Sequence, residues 1–481
     1  MRFHKLHITD EELDQVTEWV VNWNKLEEVP DLVSRMPNLV SLNLEGNRIS
    51  RLPEWLKNCD QLKKLYLGAN RFQGTAEFQN LPPELTKLSL FNNEIGEIPV
   101  SITKLKKLEE LNMSYTDLTK IPASIQNLKN LKVLELYGNK VRTLPVAIGK
   151  IPRLRELIVG GNQISKIPDA IGNCRKLSNL SAGNNRIKSV TKDLGNCTAL
   201  TYLNLRNNKL SSLPDSLGNC FTIQRLFLQG NQFNSIPDFV YQLQWLSKLY
   251  INHNNLKEID FSEGGDRLTF LELSDNQISV ISNLPETLEV LHLLNNQLQE
   301  FPEAVFQCSG LKMLHLNLNN ILEVPDDFGP LKTSLKMLNM MKNPVRTDPG
   351  ALLQLKALEG LSGLVKTNQV PMVISVLQAC RNGWIAGEEG PVFLKLLMTN
   401  KADVQDLSAS SFINFLNVND PEMTQKVRKF IFKKVSIPLY RKKLKRGHNL
   451  SVFGETAFDV NWLEEQLKPF GIKILNEINE K

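Results

Sequence analysis

The sequence predicts an α/β repeat solenoid, a stack of short parallel strands backed by helical turns. Three observations carry that prediction. A Leu-x-Leu-x-x-Asn unit recurs, as "LYLGAN" at 65–70, "LSLFNN" at 88–93 and "LELYGN" at 134–139. Aligned on the asparagine, the interval is 23 residues from Asn24 to Asn254, then 22, 20, 23 and 24 up to Asn343, with Thr116 replacing the asparagine once. The second half of many units reads apolar-Pro-x-x-apolar, as in "LPEWL", "IPASI", "IPDAI" and "LPDSL". A fixed period of this length marks stacked repeats.

Each part of the unit has a physical reason. In "LKKLYLGANRF", Leu65 and Leu67 alternate with polar positions, the period of a short strand with one buried face. One turn has nothing to bury that face against, so turns stack and each leucine packs on its counterparts. Each buried side chain contributes about 1.5–3 kcal/mol before entropy is counted. The asparagine follows where the chain bends inward, and its amide, with both donors and acceptors, can bridge successive turns. Thr116 has only a hydroxyl, which predicts a locally weaker turn. The prolines predict short helical turns on the convex side, with proline in the first helical position.

The pattern L-x-x-L-x-L-x-x-N-x-L resembles the leucine-rich repeat family over roughly residues 8–348. The 23-residue form is similar to the intracellular subclass typified by Ras-pathway scaffolds, whereas "NLPPELTKLSL" and "NLPETLEVLHL" are more like the shorter bacterial type. The resemblance implies a right-handed leucine-rich-repeat solenoid of about fifteen turns, with parallel strands on the concave face and an inner arc of about 70 Å. Residues 1–26 fit an N-terminal cap and degenerate first repeat, with Val16, Trp19, Val21, Asn24 and Leu26 in repeat positions and Thr9 as a helix N-cap. Residues 27–348 are the repeats, 349–434 a helical C-terminal domain and cap, and 435–481 a basic linker with a short β-α-β extension.

Bulk properties narrow the function. Hydrophobic content is 42 %, and no apolar run approaches the roughly 18 residues of a membrane span. The charged start "MRFHKLHITDEELDQ" lacks the apolar centre of a signal peptide. Five of six cysteines (Cys59, Cys174, Cys197, Cys220 and Cys308) sit three residues before a repeat apolar position. That register reads as small buried residues, not a disulfide framework or a thiol or metal ladder. These features point to a cytoplasmic monomer. No Gly-rich phosphate loop, G-x-S-x-G or H-E-x-x-H occurs. Cys380, in "LQACRNG", lacks the acidic neighbour of the Cys-x-Asp motif in bacterial effector ubiquitin ligases. The expectation is a non-enzymatic protein-binding scaffold with no cofactor and no metal.

Residues flanking the strand leucines are free of the fold's demands, so their identities are informative. Tyr66, Phe91 and Tyr137 are read as exposed aromatics on the inner face. The densest group is Arg206, Arg225, Phe227, Lys248, Tyr250, His292 and His315, types enriched at binding hot spots. Phe227 and Tyr250 are expected to be direct neighbours, anchoring a protein partner whose acidic surface meets Arg206, Arg225 and Lys248.

Beyond the repeats, Asp420-Pro421 is a helix-start signal and Met423, Val427, Phe430 and Ile431 make an apolar stripe. From Lys426 to Arg446 there are ten Lys or Arg and no Asp or Glu. The alternative function is nucleic-acid association through this run, including Lys433, Lys434, Arg441, Lys442, Lys443, Lys445 and Arg446. Strand "NLSVFG", helix "DVNWLEEQLKPFG" and strand "IKIL" weakly resemble the first half of a BRCT domain over about 35 residues. Domains of that family bind phosphorylated peptides, but the second-half site residues are absent here.

Overall fold

The structure is a computed structural model that describes residues 9–345, 354–355, 357–358, 360–362, 449–451 and 473–475. The chain divides into two compact units, Met1–Leu298 with Pro302–Ser309, and Gln299–Phe301 with Gly310–Lys481.

Among the described residues of the first unit, thirteen three-residue strands from Glu18–Val20 to Val290–His292 lie side by side in parallel. The register holds throughout: Leu42 faces Leu65, Leu65 faces Leu88, and Leu226 faces Leu249. Leu65 and Leu67 are fully buried, as are their counterparts in successive turns. Strand Glu18–Val20 sets Trp19 opposite Leu42, the register expected of a degenerate first repeat. Before it, Thr9 and Glu12 form a reciprocal capping box on helix Asp10–Asp14.

The asparagines bridge turns. Asn70 Nδ2 donates to Leu44 O in the turn before, at 2.9 Å, and to Leu67 O in its own, at 3.0 Å. Its Oδ1 accepts from the Ile49 amide at 3.0 Å. Asn162, Asn208 and Asn254 repeat this set of bonds. The residue before each ladder asparagine is left-handed, with φ of 53° at Asn92, 69° at Gly138 and 68° at Gly230. Glycine and asparagine tolerate that conformation, which is why "GN" and "NN" recur there. The Thr116 hydroxyl lies 2.6 Å from Met113 O in its own turn and 3.3 Å from Asn139 Oδ1 in the next. The donation into the previous turn, made by Asn93 to Leu67 and by Asn139 to Met113, has no equivalent from its side chain.

Behind the strands the turns are 3₁₀, as in Glu54–Asn58 and Asp169–Asn173. The expected place of the proline needs correction. Pro53 and Pro168 stand one residue before the turn, extended at ψ near 150°, and Pro53 O accepts from the Leu56 amide. The ring holds φ near −65°, which suits the extended N-cap, and the carbonyl opens the turn. Where the interval shortens, Glu258–Asp260 and Val280–Asn283 replace the turns and pair as a separate two-stranded parallel sheet.

Close stacking of these turns depends on glycine. A Cβ on Gly172 would lie 2.3 Å from Asp193 O, and one on Gly195 would lie 2.2 Å from Ser216 O. The cysteines lie alongside, and their thiols donate to carbonyls of the preceding turn: Cys174 to Ile148 O and Cys197 to Ile171 O. Burial pushes these thiols up to about 11 for Cys174 and Cys220 and about 12 for Cys197. They are unreactive packing groups, and Cys59, Cys174, Cys197, Cys220 and Cys308 are all unpaired as disulfides.

In the second unit, strands Met313–His315, Met337–Asn339 and Gly360–Ser362 pair in parallel. Asn343 Nδ2 donates to Leu316 O and Met340 O, both at 2.9 Å, continuing the same bonding. The sequence reads residues from 349 onward as helix, yet Gly360–Ser362 is a strand with Leu361 opposite Leu338. The buried Leu355 and Leu358 precede it in repeat fashion, and stacking on an existing leucine layer outweighs helix propensity. Asn449–Ser451 and Lys473–Leu475 also pair in parallel. The segment joining them, the helices read from 369 to 434, Cys380 and the whole basic run lie outside the described residues.

Two outcomes test this account. Thr116→Asn is expected to stabilise the protein by about 1 kcal/mol, the net value of a restored hydrogen bond, seen as a higher Tm. A lower Tm would mean that the turn does not accept the amide. Leu205, fully buried, should cost about 2–5 kcal/mol when cut to alanine, and an unchanged denaturation midpoint would contradict its place in the core.

Candidate protein-binding surface

Strand side chains alternate, so the residues flanking each buried leucine project from the sheet face opposite the core. On five consecutive strands of the first unit this face carries a continuous run of rings. Tyr202 lies 5.0 Å from Phe227, Phe227 4.6 Å from Tyr250, Tyr250 4.8 Å from Phe270, and Phe270 5.5 Å from His292, centroid to centroid. Phe227 and Tyr250, expected as neighbours, are stacked with an interplanar angle of 8°. Strands sit about 4.8 Å apart, close to the separation at which rings stack. Such pairs contribute about 0.5–1.5 kcal/mol each beyond their burial.

Tyr202 and Phe270 were not singled out in the sequence reading. They stand at the first strand position, where their register partners are Arg225 and Lys248. Their ring contacts run diagonally to Phe227 and Tyr250, two positions along the neighbouring strand, a reach open to aromatics. The sequence signal is an aromatic at the first position of one strand and at the third of an adjacent one.

The stacking decides what the surface offers. Phe227 and Tyr250 cover one another's inner faces, whereas Tyr202 and Phe270 are tilted by 42° and 36° to their neighbours and His292 meets Phe270 edge to face. The edge is the positive part of an aromatic ring. Arg225 and Lys248 lie beside it in register, with Lys248 Nζ 5.9 Å from the Phe270 centroid. Arg206 crosses Gly183, where a Cβ would come 2.8 Å from its Cγ, and its Nε is buried with no hydrogen-bond partner among the described residues. Arg206, Arg225 and Lys248 make no ion pair there, whereas Lys87 pairs with Glu110 at 2.6 Å and Lys132 with Glu109 at 2.7 Å.

At the end of the ring run, His292 Nδ1 lies 2.5 Å from Glu272 Oε2, with both side chains largely buried. Burial pushes the Glu272 carboxyl up, but hydrogen bonds from His292 and Ser274 and the imidazole charge pull it down further, leaving it below its ordinary 4.5. His315 belongs to the second unit, with its Nε2 3.5 Å from Met337 Sδ. Among the described residues no group of three or more His, Cys, Asp or Glu is placed to hold a metal ion.

The other aromatics read from the sequence divide differently. Tyr66 lines a recess of about 230 Å³ with Phe91, Lys87 and the carboxylates of Glu45, Glu110 and Glu135, and Lys87 Nζ is 5.7 Å from its ring. Phe91 and Tyr137 are partly exposed, as are Tyr66, Phe227 and Tyr250. A Cβ on Gly68 would strike Phe91 at 2.1 Å, and one on Gly160 would approach Tyr137 to 3.1 Å. Each ring therefore lies across the glycine of the preceding or following turn and covers backbone.

Parallel three-residue strands, 3₁₀ turns and a bridging asparagine define a class of solenoid interaction proteins. Comparison agrees with that class. A leucine-rich repeat region model matches residues 97–200, and a leucine rich repeat model matches 15–72, 175–233 and 286–345. A leucine-rich repeat protein of Leptospira interrogans is 27 % identical over 76 % of this chain and 95 % of its own, with a TM-score of 0.69. YopM, a leucine-rich effector protein from Yersinia pestis, is 26 % identical over 73 % and 89 %, with a TM-score of 0.58. The Arabidopsis receptor kinase HAESA, solved with the peptide hormone IDA and the co-receptor SERK1, shares the fold at 24 % identity over 72 % and 66 %, TM-score 0.55. No curated protein sequence matches. The chain is a leucine-rich repeat protein, and such repeats serve protein–protein interaction. Among the described residues no helix is long and apolar enough to cross a membrane.

The Glu272–His292 pair makes a pH-dependent prediction. A carboxyl held below its ordinary value contributes stability fully above 4.5 and loses it as pH falls through the lower folded value. Glu272→Gln should therefore destabilise by roughly 1–2 kcal/mol near neutral pH, and the gap to the native chain should narrow as pH falls below 4.5 and through the lower folded value. A gap that widens on acidification would contradict the assignment.

Proposed function

We propose that this protein is a non-catalytic, cytoplasmic scaffold that holds a protein partner on the concave face of its repeats. The ring run Tyr202–Phe227–Tyr250–Phe270 is the anchor, and Arg206, Arg225 and Lys248 meet acidic groups of the partner. The observation that carries this reading is the stacking of Phe227 on Tyr250 at 4.6 Å beside cations with no carboxylate of their own. Rings packed on one another in this way are held before binding, so little side-chain freedom is lost when a partner covers them. The faces that Phe227 and Tyr250 turn to one another are closed to a nucleobase, which needs an open face. That supports a protein over a nucleic acid at this surface. Support for the cytoplasm comes from five thiols that remain unpaired as disulfides. HAESA, which shares the fold, is solved bound to a peptide and a second protein.

The test is affinity capture from source-cell lysate, with and without nuclease, using the native chain and the Phe227→Ala, Tyr250→Ala double variant. Loss of the captured protein with the folded double variant, at hot-spot scale of about 2 kcal/mol or more and regardless of nuclease, is the expected result. Undiminished capture by the folded double variant would sink this reading.

A further inference from the structure

Beside the ring run, where the strands begin, lies a second recess. It has a volume of about 500 Å³ and is lined by Gln224, Trp245, Ser247, Asp266, Arg267, Thr269 and Thr287, so one carboxylate shares it with Arg267. Gln224, Ser247 and Thr269 directly precede Arg225, Lys248 and Phe270, so the recess is continuous with the candidate surface. Its wall is unusual for solvent-facing residues. Trp245 is 48 % exposed, and the Arg267 guanidinium carbon lies 4.0 Å from the indole ring centroid. Arg267 makes no ion pair among the described residues, although Asp266 is its neighbour in sequence. The hydroxyls of Ser247 and Thr269 are already committed to carbonyls of the preceding turn, Gln224 O and Ser247 O.

A guanidinium centred over an indole still has N–H donors along its edge, and that edge is the part that grips a carboxylate with two parallel hydrogen bonds. Stacking also holds the group in place, so less freedom is lost when the bonds form. Arg225, Lys248 and Arg267 thus come from three successive repeats as cations that make no ion pair among the described residues. Several lysines of earlier repeats, such as Lys120 with Glu97 and Lys140 with Asp117, are paired across turns.

We propose that the segment bound on the ring run continues over this rim and sets a carboxylate against Arg267, so that the site takes an acidic peptide in extended form. The Trp245–Arg267 stack is a second anchor, and its geometry favours Asp or Glu over a neutral residue at that point. This inference rests on the concave-face reading and adds the charge and path of the bound segment.

The test uses a phage-displayed library of random peptides of about twelve residues, roughly 40 Å when extended, panned on the full chain. Enriched peptides are then synthesised and titrated. The expected result is enrichment of Asp or Glu, with affinity falling about tenfold or more for both Arg267→Ala and Trp245→Ala. Arg267→Lys, which keeps the charge and the fold but loses the planar fork, should not restore it. Peptides that lose affinity with the Phe227→Ala, Tyr250→Ala variant but not with Arg267→Ala overturn the second anchor and leave the concave-face reading standing. Peptides indifferent to both sets of variants, or no enrichment at all, overturn both. A single-stranded oligonucleotide that binds through Arg267 while no acidic peptide does overturns the proposal in favour of nucleic acid.

Discussion

A carboxamide that reaches from one turn into the previous one is the bond on which the rest of this protein depends. Each turn contributes too few leucines to form a core of its own, and at its bend the backbone leaves strand pairing. Asn70 meets both problems at once, donating to Leu44 O and Leu67 O and accepting from the Ile49 amide. With those groups satisfied, the bend can be buried, and the leucine layers can stack without unpaired polar atoms beside them. The left-handed residue before each asparagine and the glycines of the 3₁₀ turns are consequences of the same close approach.

That scaffold also spaces the inner face. Parallel strands in constant register present equivalent positions at the interstrand distance, so aromatic residues in successive turns stack without any further arrangement. The Phe227–Tyr250 pair is the product of that spacing. Elsewhere the same spacing is used for support: Phe91 covers Gly68, and Tyr137 covers Gly160. Tyr137 does both, packing edge to face on Tyr115 at 5.4 Å as well as over Gly160. Charge is arranged locally too: Lys87, Lys120, Lys132 and Lys140 pair with carboxylates of neighbouring turns, whereas Arg225, Lys248 and Arg267 make no ion pair among the described residues.

The repeat itself was legible because it is written in register. Leu65, Leu67 and Asn70 recur with one spacing, and Thr9, Trp19 and the Phe227–Tyr250 contact followed from counting. The proline was misplaced by one residue, because apolar-Pro-x-x-apolar suits both a first helical position and an extended N-cap, and only the backbone angles separate them. Gly360–Ser362 was hidden because the segment before it, rich in leucine and alanine, reads as helix when taken alone. Stacking on Leu338 decided otherwise.

The sequence by itself determined the solenoid, the buried leucines and asparagines and the columns that face away from the core, since these depend only on period and residue type. Tertiary structure decided which members of those columns touch. Tyr202 and Phe270 join the ring run through diagonal contacts between strands, and Trp245 meets Arg267 across successive repeats. Such contacts depend on side-chain direction and ring orientation, which no linear spacing records, so the surface and its rim became visible only when the turns were stacked.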